Sequence, residues 1–224
     1  MQSYRIEGII LHAFSFQDFD QILTVFTSEG IHKFLVKGAF SRKNGKGTLT
    51  APLSHAEFVF RPGKGDLLSC REISMLNQHL NLRQNLELLE SSFDLIDAIY
   101  RSQMPNKPAP ALYKLLVAYL EKIPLLKPPQ LLSVSFRLKV LNHEGLLSLA
   151  SQCGHCNKPL HTHYLYGGES FCSQHALPTS LEFSKEEISL LKNLAYAQTF
   201  TQLAALSLPL HLPHKVKLLF KELL

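Results

Sequence analysis

Tryptophan is absent from this sequence, and methionine and cysteine occur only three and four times. So few cysteines exclude a disulfide-stapled secreted scaffold and fit a reducing compartment. Long apolar runs are missing too. Leu115-Leu116-Val117-Ala118-Tyr119-Leu120 is among the longest, against the about 20 residues that a membrane-spanning helix needs. Met1 to Gly8 mixes polar and charged side chains where a secretory leader has its apolar core. The expectation is a cytoplasmic protein with no membrane contact. No GxxxxGK[ST] phosphate loop, GxGxxG fingerprint or GxSxG elbow occurs, so nucleotide hydrolysis and hydride chemistry have no support.

Acidic residues are missing from one long stretch. The net charge of +5 and isoelectric point near 9.0 are a modest basic excess, but its distribution is uneven. Between Glu29 and Glu57 there is no acid, while Lys33, Lys37, Arg42, Lys43 and Lys46 fall inside that window. Ser41-Arg42-Lys43-Asn44-Gly45-Lys46-Gly47 reads as a polar, glycine-bearing loop between strands. Such a loop can follow a phosphate backbone, and these five cations are the candidate polyanion contacts. The competing reading is a solvated basic hairpin with no partner.

What cysteine there is carries the clearest motif. Cys153-Gly154-His155-Cys156 is followed, after a fifteen-residue spacer, by Cys172-Ser173-Gln174-His175. Two chelating pairs, each with two intervening residues, are what a tetrahedral zinc site uses. Cys153, Cys156, Cys172 and His175 would fill all four positions and leave none for water or substrate. The expected cofactor is therefore one structural zinc ion, knitting a module with too little core to fold alone. His155, His161 and His163 lie close by as rival fourth ligands, although the second pair favours His175.

Periodicity divides the chain. Residues 1–78 read as short β-rich runs separated by turn signals, namely Tyr4–Leu11, Ile22–Thr27, Ile31–Lys37, Thr48–Pro62 and Leu67–Leu76. Five strands with hairpin connections suit a small closed barrel, with the OB-fold as the natural candidate. Ala56, Phe58 and Phe60 share one strand face. Phe14, Phe16, Phe19 and Phe40 sit in or beside apparent loops, where one or two could stack on bases. From residue 79 the spacing turns helical. Leu82, Leu86, Leu89, Phe93, Ile96 and Tyr100 form an apolar stripe, and Leu112 to Ile123 marks a second helix. Pro128-Pro129 opens a third, closed by Gly145. Tyr164 to Phe171 reads as a hairpin with a Gly-Gly turn. Ser184 and Glu187 have capping-box form ahead of Ile188, Leu191 and Leu194, and a last helix from about Pro213 carries Lys215, Lys217 and Lys221. The expected architecture is α+β and multi-domain. An OB-fold barrel at 1–78 precedes a helical domain at 79–150 and 179–224, with a zinc finger inserted at 151–178.

One enzyme pattern needs weighing. His55-Ala56-Glu57 with the later Cys153-x-x-Cys156 imitates the H-x-E…P-C-x-x-C arrangement of zinc deaminases. Gln152 stands where that pattern has proline, and Cys172 and His175 would close the position that catalysis must keep open. The chain is expected not to be an enzyme.

Glu7-Gly8-Ile9-Ile10-Leu11, then Phe19-Asp20-Gln21-Ile22-Leu23-Thr24-Val25-Phe26-Thr27, Gly30 and Lys37-Gly38-Ala39 resemble the RecO family of bacterial recombination mediators. Gly63-Lys64-Gly65-Asp66-Leu67 is similar to that family's late barrel turn, and Leu138 to Gly145 before the cysteines to its helix-to-finger junction. The ordered combination covers essentially the whole chain. Metal-bearing members usually present four cysteines, so His175 is a departure that keeps a competent ligand. The resemblance implies binding of single- and double-stranded DNA and annealing of complementary strands. It also implies partnership with RecR and single-strand-binding protein, and indirectly with the RecA recombinase, in the bacterial cytoplasm at the nucleoid. On this reading Lys33, Lys37, Arg42, Lys43 and Lys46 are DNA-binding residues. The rival readings are an OB-fold and zinc protein acting on RNA, and an adaptor whose helices dock a protein partner.

Overall fold

Five strands close on themselves in the first part of the computed structural model, which describes residues 3–40, 50–63 and 65–224. They are β1 (Tyr4–Phe16), β2 (Asp20–Thr27), β3 (Gly30–Val36), β4 (His55–Arg61) and β5 (Leu67–Asn77), in the barrel order β1-β2-β3-β5-β4. Every neighbouring pair is antiparallel except β3 with β5, which runs parallel. This is the expected OB-fold barrel. Alternation along each strand sends Leu23, Val25, Phe34, Val36, Ala56 and Phe58 inward. The Phe34 and Phe58 rings stack at 5.0 Å, and Phe60 meets Phe34 edge-on at 5.3 Å.

β1 departs from simple alternation, because Ile9, Ile10 and Leu11 are all fully buried. A register shift between Ile10 and His12 marks a bulge at Leu11. Helices cover the outward side there. The chain divides into two compact units, Met1–Pro124 and Leu125–Leu224, so the first unit includes α1 (Leu86–Ser102) and α2 (Pro110–Lys122) along with the barrel. Tyr113 of α2 packs edge-on against Phe26, and Tyr100 of α1 against His12. Between the helices the chain wraps the β2–β3 turn. Asn106 N donates to Ile31 O at 3.2 Å and Ala109 N to Ser28 O at 3.1 Å. Gly30, at φ +108°, lies so close to Lys107 that a Cβ would stand 2.5 Å from its carbonyl oxygen. No side chain fits there.

The buried face of α1 differs from the stripe expected. Leu86, Phe93 and Tyr100 are exposed, whereas Ser91, Ser92, Leu95, Ile96, Ala98 and Ile99 are buried. Leu82 belongs to a separate 3-10 turn, Leu80–Arg83. The helix begins at Leu86 with Asn85 as its cap, the Asn85 Oδ1 accepting from Glu87 N at 2.8 Å. Leu86, Phe93 and Tyr100 stand seven apart and form one exposed row along the whole helix, so of the expected stripe it is the side bearing Ile96 that faces inward.

The second unit is built around α3 (Gln130–His143), whose residues from Leu131 to Leu138 are all buried, with Val140 and Leu141. Ser135 Oγ donates to Leu194 O at 2.7 Å, and the Arg137 guanidinium lies over the Phe220 ring. These contacts join α3 to α4 (Lys185–Tyr196) and α6 (Leu212–Leu223). Between α3 and α4 stands a three-stranded sheet of order β7-β6-β8, formed by β6 (Thr162–Tyr166), β7 (Glu169–Phe171) and β8 (Leu181–Ser184). The Gly167-Gly168 hairpin is as expected, while β8 and the short α5 (Phe200–Ala204) are additions to the reading of the sequence. The predicted capping box is present. Ser184 Oγ accepts from Glu187 N at 3.2 Å, and Ser184 N donates to Glu187 Oε2 at 2.8 Å. No helix is long and apolar enough to cross a membrane among the described residues.

Candidate functional site

The cysteine pairs sit on two turns of the second unit. Cys153 N donates to Lys158 O, and Asn157 N returns a bond to Cys153 O, each at 2.9 Å. Asn157 takes the left-handed conformation, φ +58°, that closes this knuckle. The second turn is pinned by His175 N donating to Cys172 O at 3.0 Å, and Gly154 N donates to Ser170 O to tie the two limbs. The result gathers one donor atom from each of Cys153, Cys156, Cys172 and His175, all within 4.8 Å of one another.

Their spacing fits a metal ion. Four ligands at zinc's usual bond lengths stand about 3.5–3.8 Å apart at the corners of a tetrahedron. Here Cys153 Sγ and His175 Nδ1 are 3.7 Å apart, Cys172 Sγ and His175 Nδ1 3.2 Å, and Cys156 Sγ and Cys172 Sγ 4.0 Å. Burial would raise the Cys153 thiol, but the amides of Cys156, Cys172 and His155 turn toward its sulfur and bring it down to about 5. The cluster could therefore hold a metal ion, with His175 as the nitrogen donor. Among the rivals, His155 instead stacks its ring on His175 at 4.2 Å, and His163 is buried on β6. His55, from the deaminase-like pattern, lies on β4 with its Nε2 2.9 Å from Tyr113 Oη and takes no part in the cluster.

Two of the five basic residues, Lys33 and Lys37, are placed by the barrel. Residues directly opposite in neighbouring strands project to the same side of a sheet. The rows Phe14–Ile22–Leu35 and His12–Thr24–Lys33 therefore share a face, opposite to the core side chains Leu23 and Phe34. Phe16, two residues beyond Phe14, joins them. The half of this face that bears Ile9, Phe26 and Ile31 is buried. The half toward the β1–β2 turn is open. Phe14 and Phe16 are 51% and 38% exposed, Phe19 in the turn 59%, and Phe40 beyond β3 45%. Phe40 N donates to Phe19 O at 3.1 Å, and Gly38 N to Asp20 Oδ1 at 2.9 Å, so the two segments are joined. Lys33 and Lys37 are exposed on and just past β3. Arg42, Lys43 and Lys46 lie outside the described residues. Phe14 and Phe16, expected beside a loop, are instead part of β1. The signal for this was the alternation His12-Ala13-Phe14-Ser15-Phe16.

Two family profiles account for nearly the whole sequence. The one described as Recombination protein O N terminal matches residues 1–79, and Recombination protein O C terminal matches residues 84–222. The chain belongs to the RecO family. The family's two-part order coincides with the barrel followed by the helical region that holds the Cys153, Cys156, Cys172 and His175 cluster. Among curated relatives, the DNA repair protein RecO of Chlamydia trachomatis serovar D is 30% identical over 206 residues, 91% of this chain and 85% of its own length. That of Chlamydia pneumoniae is 27% identical over 97% of this chain and 87% of its own. The RecO of Caldicellulosiruptor saccharolyticus is 28% identical over 70% of this chain and 65% of its own.

Proposed function

We propose that this chain is a recombinational DNA repair mediator. It binds single- and double-stranded DNA and anneals complementary strands. With RecR it helps load RecA onto DNA coated by single-strand-binding protein, in the cytoplasm at the nucleoid. The observation that carries the reading is the open half of the barrel's outer face, where Lys33 and Lys37 stand beside exposed aromatic rings in a RecO-family chain. Membership in the family, with relatives named DNA repair protein RecO, supports the biological role.

The chemistry is electrostatic, and the reading assigns the chain no bond-making step. Lys33, Lys37, Arg42, Lys43 and Lys46 neutralise phosphates and release condensed counterions, which favours binding most at low salt. Two strands held on one basic surface repel each other less, and base edges left free can pair. The Cys153, Cys156, Cys172 and His175 cluster holds one zinc ion in a structural role. Closed four-ligand coordination supplies folding energy and no reactive position.

The test is annealing of two complementary oligonucleotides coated with the cognate single-strand-binding protein, followed across a salt series. Acceleration that fades as salt rises is the expected result. With about five phosphates neutralised, log affinity for a single strand falls with log salt at a slope near −3.5, from roughly −0.7 per contact. A folded, metal-loaded sample that gives no acceleration overturns the mediator reading.

A further inference from the structure

Four exposed phenylalanines at one end of a small barrel need a reason. A buried large apolar side chain contributes about 1.5–3 kcal/mol relative to an exposed one. The barrel forgoes part of that at Phe14, Phe16, Phe19 and Phe40, while Phe34 and Phe58 in its core are fully buried. The rings do not arise from disorder of the turn. Phe14 and Phe16 are fixed by the β1–β2 ladder, and Phe19 and Phe40 by the hydrogen bond between their backbones.

We infer that these four rings are a stacking platform for unpaired nucleobases, which makes the face selective for single strands over duplex. The inference rests on the DNA-binding reading above and names the part of the ligand that the rings meet. Charge decides the occupant. Lys33 shares the sheet face with Phe14 and Phe16, and Lys37 follows just past the end of the same strand. Of the nearby acids, Asp20 is tied to the Gly38 amide, Glu29 lies in the β2–β3 turn, and Asp66 shares a small pocket with Lys33 on its β5 side, leaving Asp18 in the β1–β2 turn beside the rings. Cations flanking exposed aromatic rings match a ligand whose phosphates and flat bases alternate. A duplex presents the phosphates but keeps its bases stacked inside. Stacking also uses base faces and leaves pairing edges open, as annealing requires.

The experiment compares wild type with Phe14→Ala/Phe19→Ala and Phe16→Ala/Phe40→Ala. Binding is read by fluorescence anisotropy on an oligothymidine, an abasic strand of the same length and a duplex. Affinity for oligothymidine should fall roughly 5- to 150-fold for each base that loses its ring, with the salt slope unchanged because no phosphate contact is lost. The abasic strand and the duplex should bind as before. Phe14→Leu/Phe19→Leu, which keeps apolar bulk without an aromatic face, should fall with the alanine variants. Equal losses on the abasic strand overturn the inference. So does unchanged oligothymidine binding in the phenylalanine variants while Lys33→Gln/Lys37→Gln still weakens it. In that case pelleting with anionic phospholipid vesicles, lost in the same variants, would reassign the rings to a lipid surface. If neither the lysine nor the phenylalanine variants change binding, the DNA reading of this face fails and takes the inference with it.

Discussion

Acid should destabilise this protein through one buried imidazole more than through any surface charge. His79 follows β5 in the left-handed region, φ +47°, with its amide donating to Asn77 Oδ1 at 2.8 Å and its carbonyl accepting from Leu82 N at 3.0 Å. The ring is buried, and its Nε2 has no hydrogen-bond partner among the described residues. Burial, and then the neighbouring His55 and Arg83, push its pKa from 6.5 down to about 4. Above pH 6.5 both folded and unfolded chains hold the ring neutral and nothing is lost. Between pH 6.5 and about 4 the unfolded chain takes up a proton that the folded chain rejects, so stability falls as pH falls. With those two pKa values the loss from pH 7.5 to 4.5 is about 2.5 kcal/mol. The assay is urea unfolding of wild type and His79→Asn at both pH values. Asparagine tolerates the left-handed backbone and does not titrate. Burial also lowers His32, His55 and His163, so the whole protein loses more, and the difference between the two proteins isolates the share of His79. A variant that loses as much stability as wild type over this range, or an imidazole that titrates near 6.5 by NMR, refutes the reasoning.

Replacing Cys153 by serine should lower the melting temperature and metal content of the second unit, with little change in DNA affinity of the protein that remains folded. Full stability without bound metal, measured by elemental analysis and melting, would contradict it. Lys33→Gln/Lys37→Gln removes two of five proposed phosphate contacts. The single-strand salt slope should move from near −3.5 to about −2.1, so that the loss between 50 and 200 mM salt shrinks from roughly 130-fold to roughly 20-fold. Ser184→Ala removes the hydroxyl half of the α4 capping box and should cost about 1 kcal/mol in denaturant unfolding. Gly168→Ala should cost more, because φ is +82° and the added Cβ would stand 1.9 Å from Leu146 O.

The features legible in the sequence were those whose physics is local. Chelating spacing named Cys153, Cys156, Cys172 and His175 because two residues between ligands set the bite of a turn. The capping box at Ser184 and the hairpin at Gly167-Gly168 are equally local. Barrel strands announced themselves by alternation and turn residues. What escaped depends on contacts distant in sequence. The face of α1 was misjudged because Leu86, Phe93 and Tyr100 look like a core stripe, while the buried face includes the polar Ser91 and Ser92. Ser92 is accommodated there by donating to Leu88 O at 2.7 Å. β8 is only four residues long and exists by pairing with β6. The short α5 rests on a capping box between Thr199 and Gln202, a signal present in the sequence but followed by only five helical residues. The aromatic quartet was half legible. Its members were named from position, but the shared face of Phe14 and Phe16 needed the strand register, and the link between Phe19 and Phe40 needed their backbone hydrogen bond.

The closed order of the barrel limits where a peptide could add to it as a further strand. Strand addition needs an unpaired sheet edge whose backbone amides and carbonyls can zip to a peptide. Each of β1 to β5 has two neighbours, but the ladders overlap only in part: β4 reaches only Tyr4–Ile9 of β1 and β3 only Leu67–Cys70 of β5, so residues 12–16 and 72–77 are each paired on one side. Among the described residues β7 and β8, three and four residues long, are further open edges. Strand addition to this chain is therefore confined to these short segments, and a peptide that docks elsewhere is read through side chains.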